Sequence, residues 1–197
     1  MLAQIGAVTE LVVVREGGMR RVETAFHAWL LQQEGIHFVG HCHPVSCNII
    51  LCSMAAEKFA SERLFPDQVV CCGPQSIYVP YCEPGIPLAR EIRAKVVLYS
   101  RRNYGRIPRL ILLGNHGVIV CGPSVALAFD DLYYLERACM HQLLATQMAA
   151  GQPLRRVPEA LCAKVGGQIA AERQQSDLFM ASIQRMLDRE QPGWSAQ

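Results

Sequence analysis

The sequence predicts an α/β protein with a mixed or antiparallel central sheet and helices on its faces. Three observations support this. Short apolar or β-branched runs intermix with longer segments of helical composition. The runs at residues 109–113 and 118–121 are joined only by Gly114-Asn115-His116-Gly117, a hairpin-like link that favours antiparallel pairing. Hydrophobic residues make up 51% of the 197 positions, which is enough for one domain with a full core.

Taken in order, residues 11–15 form a β-branched run that ends at Gly17-Gly18, a strand and a turn. Residues 22–33 have helical composition and stop at Gly35. Residues 36–41 read as a strand. Pro44 suits a first helical turn, where its missing N–H costs nothing, and residues 45–59 supply one or two helices. Pro66-Asp67 reads as a turn before a strand at 68–72, and Tyr78-Val79-Pro80-Tyr81 as a short extended piece broken by Pro84-Gly85. Residues 88–100 form a helix, because Leu88, Ile92, Val96 and Tyr99 keep the helical period. A polar, basic loop follows at 101–108. Gly122-Pro123-Ser124 opens a long helix to about residue 150, a final helix covers 158–189, and the tail at 191–197 frays.

Bulk properties exclude several functions. The net charge of +2 is too small to argue for nucleic acid or an anionic membrane. No apolar run reaches the ~18 residues of a membrane-spanning helix. The N-terminus lacks the basic start and small-residue cleavage site of a signal peptide, so a cytoplasmic protein is expected. The nine cysteines are odd in number, mostly lie in apolar runs and form no CxxC pair. They read as small buried hydrophobes in a reducing compartment. Phosphate loops of the GxGxxG or GxxxxGKS kind are absent, as are a GxSxG elbow and an HExxH helix.

The chemistry concentrates in three histidines. His41 and His43 lie two residues apart at the end of a strand, where both point to one face. His116 sits at the end of another apolar run, between Asn115 and Gly117, in a sharp and close-packed turn. Three neutral imidazoles are a recurrent catalytic zinc shell, with the fourth position left to water or substrate. Cys42, between the two imidazoles, points to the opposite face and packs there. Glu23 reads locally as an acid at a helix N-terminus, stabilised by the dipole by about 0.3–1 kcal/mol. His27, four residues on, shares its face and could orient it or cover the core. His37 and His141 read as ordinary strand and helix residues, and the turn holding Tyr81, Glu83 and Gly85 as structural.

The segments FVGHCHPVS, IYVPYCEPGIPLAREI and ILLGNHGVIVCG, then a helix with LERA, resemble the class II aldolase/adducin family in order and spacing across residues 22–150. The combination VPYCEPGIPLA with LGNHG is closest to the rhamnulose-phosphate-aldolase-like domains. The resemblance implies a three-layer α/β/α sandwich with a mixed, largely antiparallel sheet. It also implies a homotetramer with sites at subunit interfaces. Residues 1–197 would form a single such domain, lacking the family's N-terminal Gly- and Asn-rich phosphate-loop segment. By motif, His41, His43 and His116 match the metal ligands and Glu23 the catalytic acid/base. The implied cofactor is a divalent metal, zinc first, with manganese or cobalt also suited to imidazole. The implied function is that of a metal-dependent aldehyde-lyase: retro-aldol cleavage of a ketose or ketose phosphate through a metal-bound enediolate. A non-catalytic adducin-like assembly domain and a sugar-phosphate epimerase of the same family are the alternatives. Adducin-type domains are expected to lack the ligand set that is complete here.

Overall fold

The structure, a computed structural model, describes residues 23–168 and 176–192. The expected strand at 11–15 and its turn lie outside the described residues, as does the end of the tail. In chain order the elements are α1 (Thr24–Leu30), β1 (Phe38–Cys42), α2 (Val45–Leu51), α3 (Ala56–Ser61), α4 (Pro66–Cys72), β2 (Ile77–Val79), α5 (Ile86–Arg102), β3 (Leu110–Leu113), β4 (Gly117–Gly122), α6 (Val125–Ala149), α7 (Glu159–Gln168) and α8 (Ser176–Glu190). The segment expected as one final helix is thus described as α7 and α8, with the residues between them outside the description.

The four strands form one mixed sheet in the order β1-β4-β3-β2. β1 and β3 each pair antiparallel with β4, and β2 pairs parallel with β3. The expected link at residues 114–117 is a β3–β4 hairpin, with Leu113 opposite Gly117. β3 and β4 are buried along their whole length, which explains their unbroken apolar runs.

The strand alternation divides the core in two. Leu110, Leu112, Val118 and Val120 join residues of α2, α3, α4 and α6 in one cluster. Ile111, Leu113, Ile119 and Cys121 join residues of α1 and α5 in the other. Successive side chains of a strand point to opposite faces, so each face of the sheet carries its own helices. In α5 the buried Leu88, Ile92 and Val96 are the predicted stripe, each contributing about 1.5–3 kcal/mol by burial. Arg101 and Arg102, read as loop, form its last turn, where cations complement the dipole.

One segment corrects the sequence reading. Residues 66–72 are the helix α4, not a turn and strand. Pro66 stands in its first turn, where a fixed φ and a missing N–H cost little, and Asp67 supplies a first-turn acid. The buried Gln68, Val69, Cys71 and Cys72 make a helical stripe. Packing overrides the strand propensity of the Val-Val pair.

Candidate metal centre

β1 ends in the HxH motif. His41 lies opposite Ile119 on β4, and so on the face covered by α1 and α5. Cys42, one residue on, packs with the cluster on the other face, as expected from alternation. Burial pushes the Cys42 thiol up to about 11, leaving it a neutral packing group. The chain then turns at Pro44, and the His43 ring swings back to the His41 ring. Their Nε2 atoms are 3.1 Å apart.

His116 arrives from the hairpin. Asn115 adopts φ +54, a left-handed conformation that asparagine tolerates better than most residues. The flanking glycines are required by space. A Cβ on Gly117 would lie 2.4 Å from Cδ2 of His43 and 2.6 Å from the Cys42 carbonyl oxygen. On Gly114 it would lie 2.6 Å from the Tyr78 hydroxyl. The hairpin therefore packs directly against the HxH turn, and the rings of His43 and His116 come within 5.2 Å.

Hydrogen bonding sets the tautomer of His41. The Val118 carbonyl can only accept, so at 3.0 Å Nδ1 of His41 donates to it. In the neutral ring Nε2 is then an unprotonated lone pair aimed into the cluster. A carbonyl on the remote nitrogen is the arrangement that orients a metal-ligating histidine. Burial lowers the His41 pKa. The Glu23 carboxylate and the Val118 carbonyl oppose that shift, and the His116 and His43 rings reinforce it.

Glu23 completes the group. It occupies the N-cap position of α1, yet its side chain makes no capping hydrogen bond. Its carboxylate oxygen instead lies 3.3 Å from Nε2 of His41 and 3.3 Å from Nε2 of His116. The local reading of Glu23 as a helix-end acid is therefore incomplete, because that carboxylate is turned toward the imidazoles. His27 stacks on Phe26. His141 donates to the Arg137 carbonyl within α6.

Among the described residues, His41, His43 and His116 form a group that could hold a metal ion, with ligand atoms all within 4.8 Å of one another. A tetrahedron with zinc–nitrogen bonds of about 2.0–2.1 Å has edges of roughly 3.3 Å. The His41–His43 separation of 3.1 Å is close to that edge, and the His116 nitrogen lies within 4.8 Å of both. Three neutral nitrogen donors gathered this closely suit a zinc-like cation in chemistry and proximity.

Residues 4–143 match the family described as Class II Aldolase and Adducin N-terminal domain. The chain belongs to the class II aldolase/adducin family. It is 29% identical to an inferred class 2 aldolase of Caulobacter vibrioides over 88% of this chain and 62% of that protein, so it spans less than two thirds of that relative. Among solved structures, it resembles an aldolase II superfamily protein from Pseudomonas syringae, with TM-score 0.67 and 21% identity over 88% of this chain and 65% of that one. It also resembles an L-fuculose 1-phosphate aldolase from Glaciozyma antarctica, with TM-score 0.61 and 18% identity over 84% of this chain and 59% of that one. At these identities the structural likenesses establish the fold. Among the described residues, no helix is long and apolar enough to cross a membrane.

Two partners of the site were given no role by the sequence. The Val118 carbonyl is a backbone atom fixed by strand register. Glu136, on α6, reaches the backbone just after the HxH motif. Only its place in LERA marked it.

Proposed function

We propose that this chain is a metal-dependent aldehyde-lyase that cleaves a ketose or ketose phosphate by a retro-aldol route. His41, His43 and His116 would hold the divalent cation, with zinc favoured over manganese or cobalt, and Glu23 would be the general acid/base. The observation that carries this reading is the convergence of three imidazoles with one carboxylate that makes no capping bond to its own helix.

A bound cation would serve as a Lewis acid for the charge that develops on substrate oxygen. The protein's part follows from its own groups. His41, held by Val118, keeps its Nε2 lone pair directed inward. Neutral imidazoles leave the cation its full charge. When the C3–C4 bond breaks, its electron pair stays on C3 of the ketone-bearing fragment, and the C4 hydroxyl releases its proton to solvent as C4 becomes the aldehyde carbon. Glu23, beside His41 and His116, delivers a proton to that carbon and removes it in the reverse direction. Its partial exposure leaves a route for the proton to solvent.

The same reading extends to the family's other traits. The two apolar clusters, one on each sheet face, support a three-layer α/β/α sandwich. A cytoplasmic homotetramer acting on a small sugar or sugar phosphate completes it. The complete ligand set argues against a purely adducin-like assembly domain.

The test is to incubate the metal-loaded protein with ketose 1-phosphates and free ketoses and to analyse the products. Cleavage yields two carbonyl fragments, and Glu23→Gln slows their release by about 10²–10⁴-fold. An isomer without fragments would assign the chain to the epimerases. Metal-loaded protein that turns over none of these substrates would remove the aldolase reading.

A further inference from the structure

We propose that Glu136 is a positioning residue that sets the geometry of the three imidazoles through α2. The inference rests on the reading that those imidazoles hold a metal.

α2 begins at Val45, one residue after Pro44, which itself follows His43. The first turn of any helix presents N–H groups with no partner inside the helix. A cap side chain normally accepts from them, but the cap here is Pro44, which has no acceptor and makes no capping bond. Glu136 supplies the missing acceptors from the far side of the chain. Its two carboxylate oxygens accept from Ser46 N at 2.8 Å and Cys47 N at 2.9 Å. Both are charge-assisted bonds at the positive end of a helix. Glu136 is itself fixed, because its α6 neighbours Leu135, Ala138 and Cys139 are fully buried in the core.

The other end of α2 reaches the second ligand turn. The Leu51 carbonyl accepts from Asn115 N at 3.1 Å, and Asn115 directly precedes His116. α2 is therefore a strut between the two histidine-bearing turns. Glu136 pins its first turn two residues past the Pro44 bend. Between the two turns there is no slack, since His43 rests against Gly117. A shift of α2 moves His43 and the Asn115-His116 turn relative to His41, which stays on β1.

The test measures zinc affinity by competition with a chromophoric chelator, and the visible spectrum of the cobalt-substituted protein, for wild type, Glu136→Ala and Glu136→Gln. Val96→Ala, in the core cluster on the opposite sheet face, controls for a general loss of stability. Glu136→Ala is expected to weaken zinc binding by about 10–100-fold and to alter the cobalt spectrum. Glu136→Gln keeps the volume and one acceptor oxygen, so it gives a smaller loss in the same direction. Val96→Ala keeps wild-type affinity and spectrum. If Glu136→Ala does not fold, Glu136→Gln decides alone. Glu136 variants with wild-type affinity and spectrum overturn the inference while the metal reading stands. A wild type that takes up no metal overturns both.

Discussion

Two polar clusters in this molecule use the same kind of material in opposite ways. Arg63 is 1% exposed, and its guanidinium is spent on the fold. It donates to the Gly73 carbonyl at 2.7 Å, to the Phe59, Ala60 and Glu62 carbonyls at 3.3, 3.0 and 2.9 Å, and to the Ser76 hydroxyl at 2.9 Å. It ties the end of α3 to the loop after α4 through these donated bonds. The imidazole cluster spends one nitrogen of His41 on Val118 and directs the Nε2 atoms of its rings toward one point. Satisfied polar groups hold a structure together. Imidazoles and a carboxylate brought from separate elements to one point, with the carboxylate taken off its own helix end, are arranged for something else.

The comparison can be tested by substitution. Glu23→Gln should keep the metal and lower kcat by about 10²–10⁴-fold, because it removes proton transfer and leaves the imidazoles in place. Metal content and product formation on the same sample separate the two effects. Arg63→Leu should do the reverse. It leaves buried carbonyls without donors and costs about 3 kcal/mol of stability, read as a Tm lower by roughly 6–12 °C, with metal uptake intact. Gly117→Ala lies between the two classes. Its Cβ forces the His43 ring or the hairpin aside, so about 1–3 kcal/mol of stability and part of the zinc affinity should go together in denaturation and chelator competition. The smallest effect concerns thiols. Cys52 is exposed and should label first with a maleimide at neutral pH. Cys42 should label slowly despite lying between two site histidines, because burial pushes its thiol up to about 11. Cys72 and Cys121, pushed up to about 12 by burial, should label only on unfolding, as a time course by mass spectrometry would show.

The same contrast explains what could be read from the sequence. Local signals were sufficient where one rule acts. The two-residue period placed His41 and Cys42 on opposite faces, the helical period marked α5, and paired glycines marked the close-packed turn at His116. They failed where tertiary packing decides. The valine pair of α4 favours a strand, yet Pro66 and Asp67 were helix-start signals, and packing against α6 made the helix. Glu23 was ambiguous for a related reason. An acid before a helix looks the same whether it caps its own helix or, as here, faces residues on other elements. Cys52, placed in an apolar run, is exposed because α2 ends beside it. The contacts of Arg63 and Glu136 join segments far apart in the chain, so no local pattern announces them.

The central claim is that three imidazoles, from the end of β1, the turn after it and the β3–β4 hairpin, form one cation site. The most direct measurement is the metal content of the purified protein by mass spectrometry, before and after zinc is added, with His41→Ala and Arg63→Leu alongside. The account predicts about one divalent ion per chain in wild type and in any folded Arg63→Leu, and a loss of that ion in His41→Ala. A wild-type protein that takes up no ion, or a His41→Ala protein that keeps a full equivalent, would contradict it.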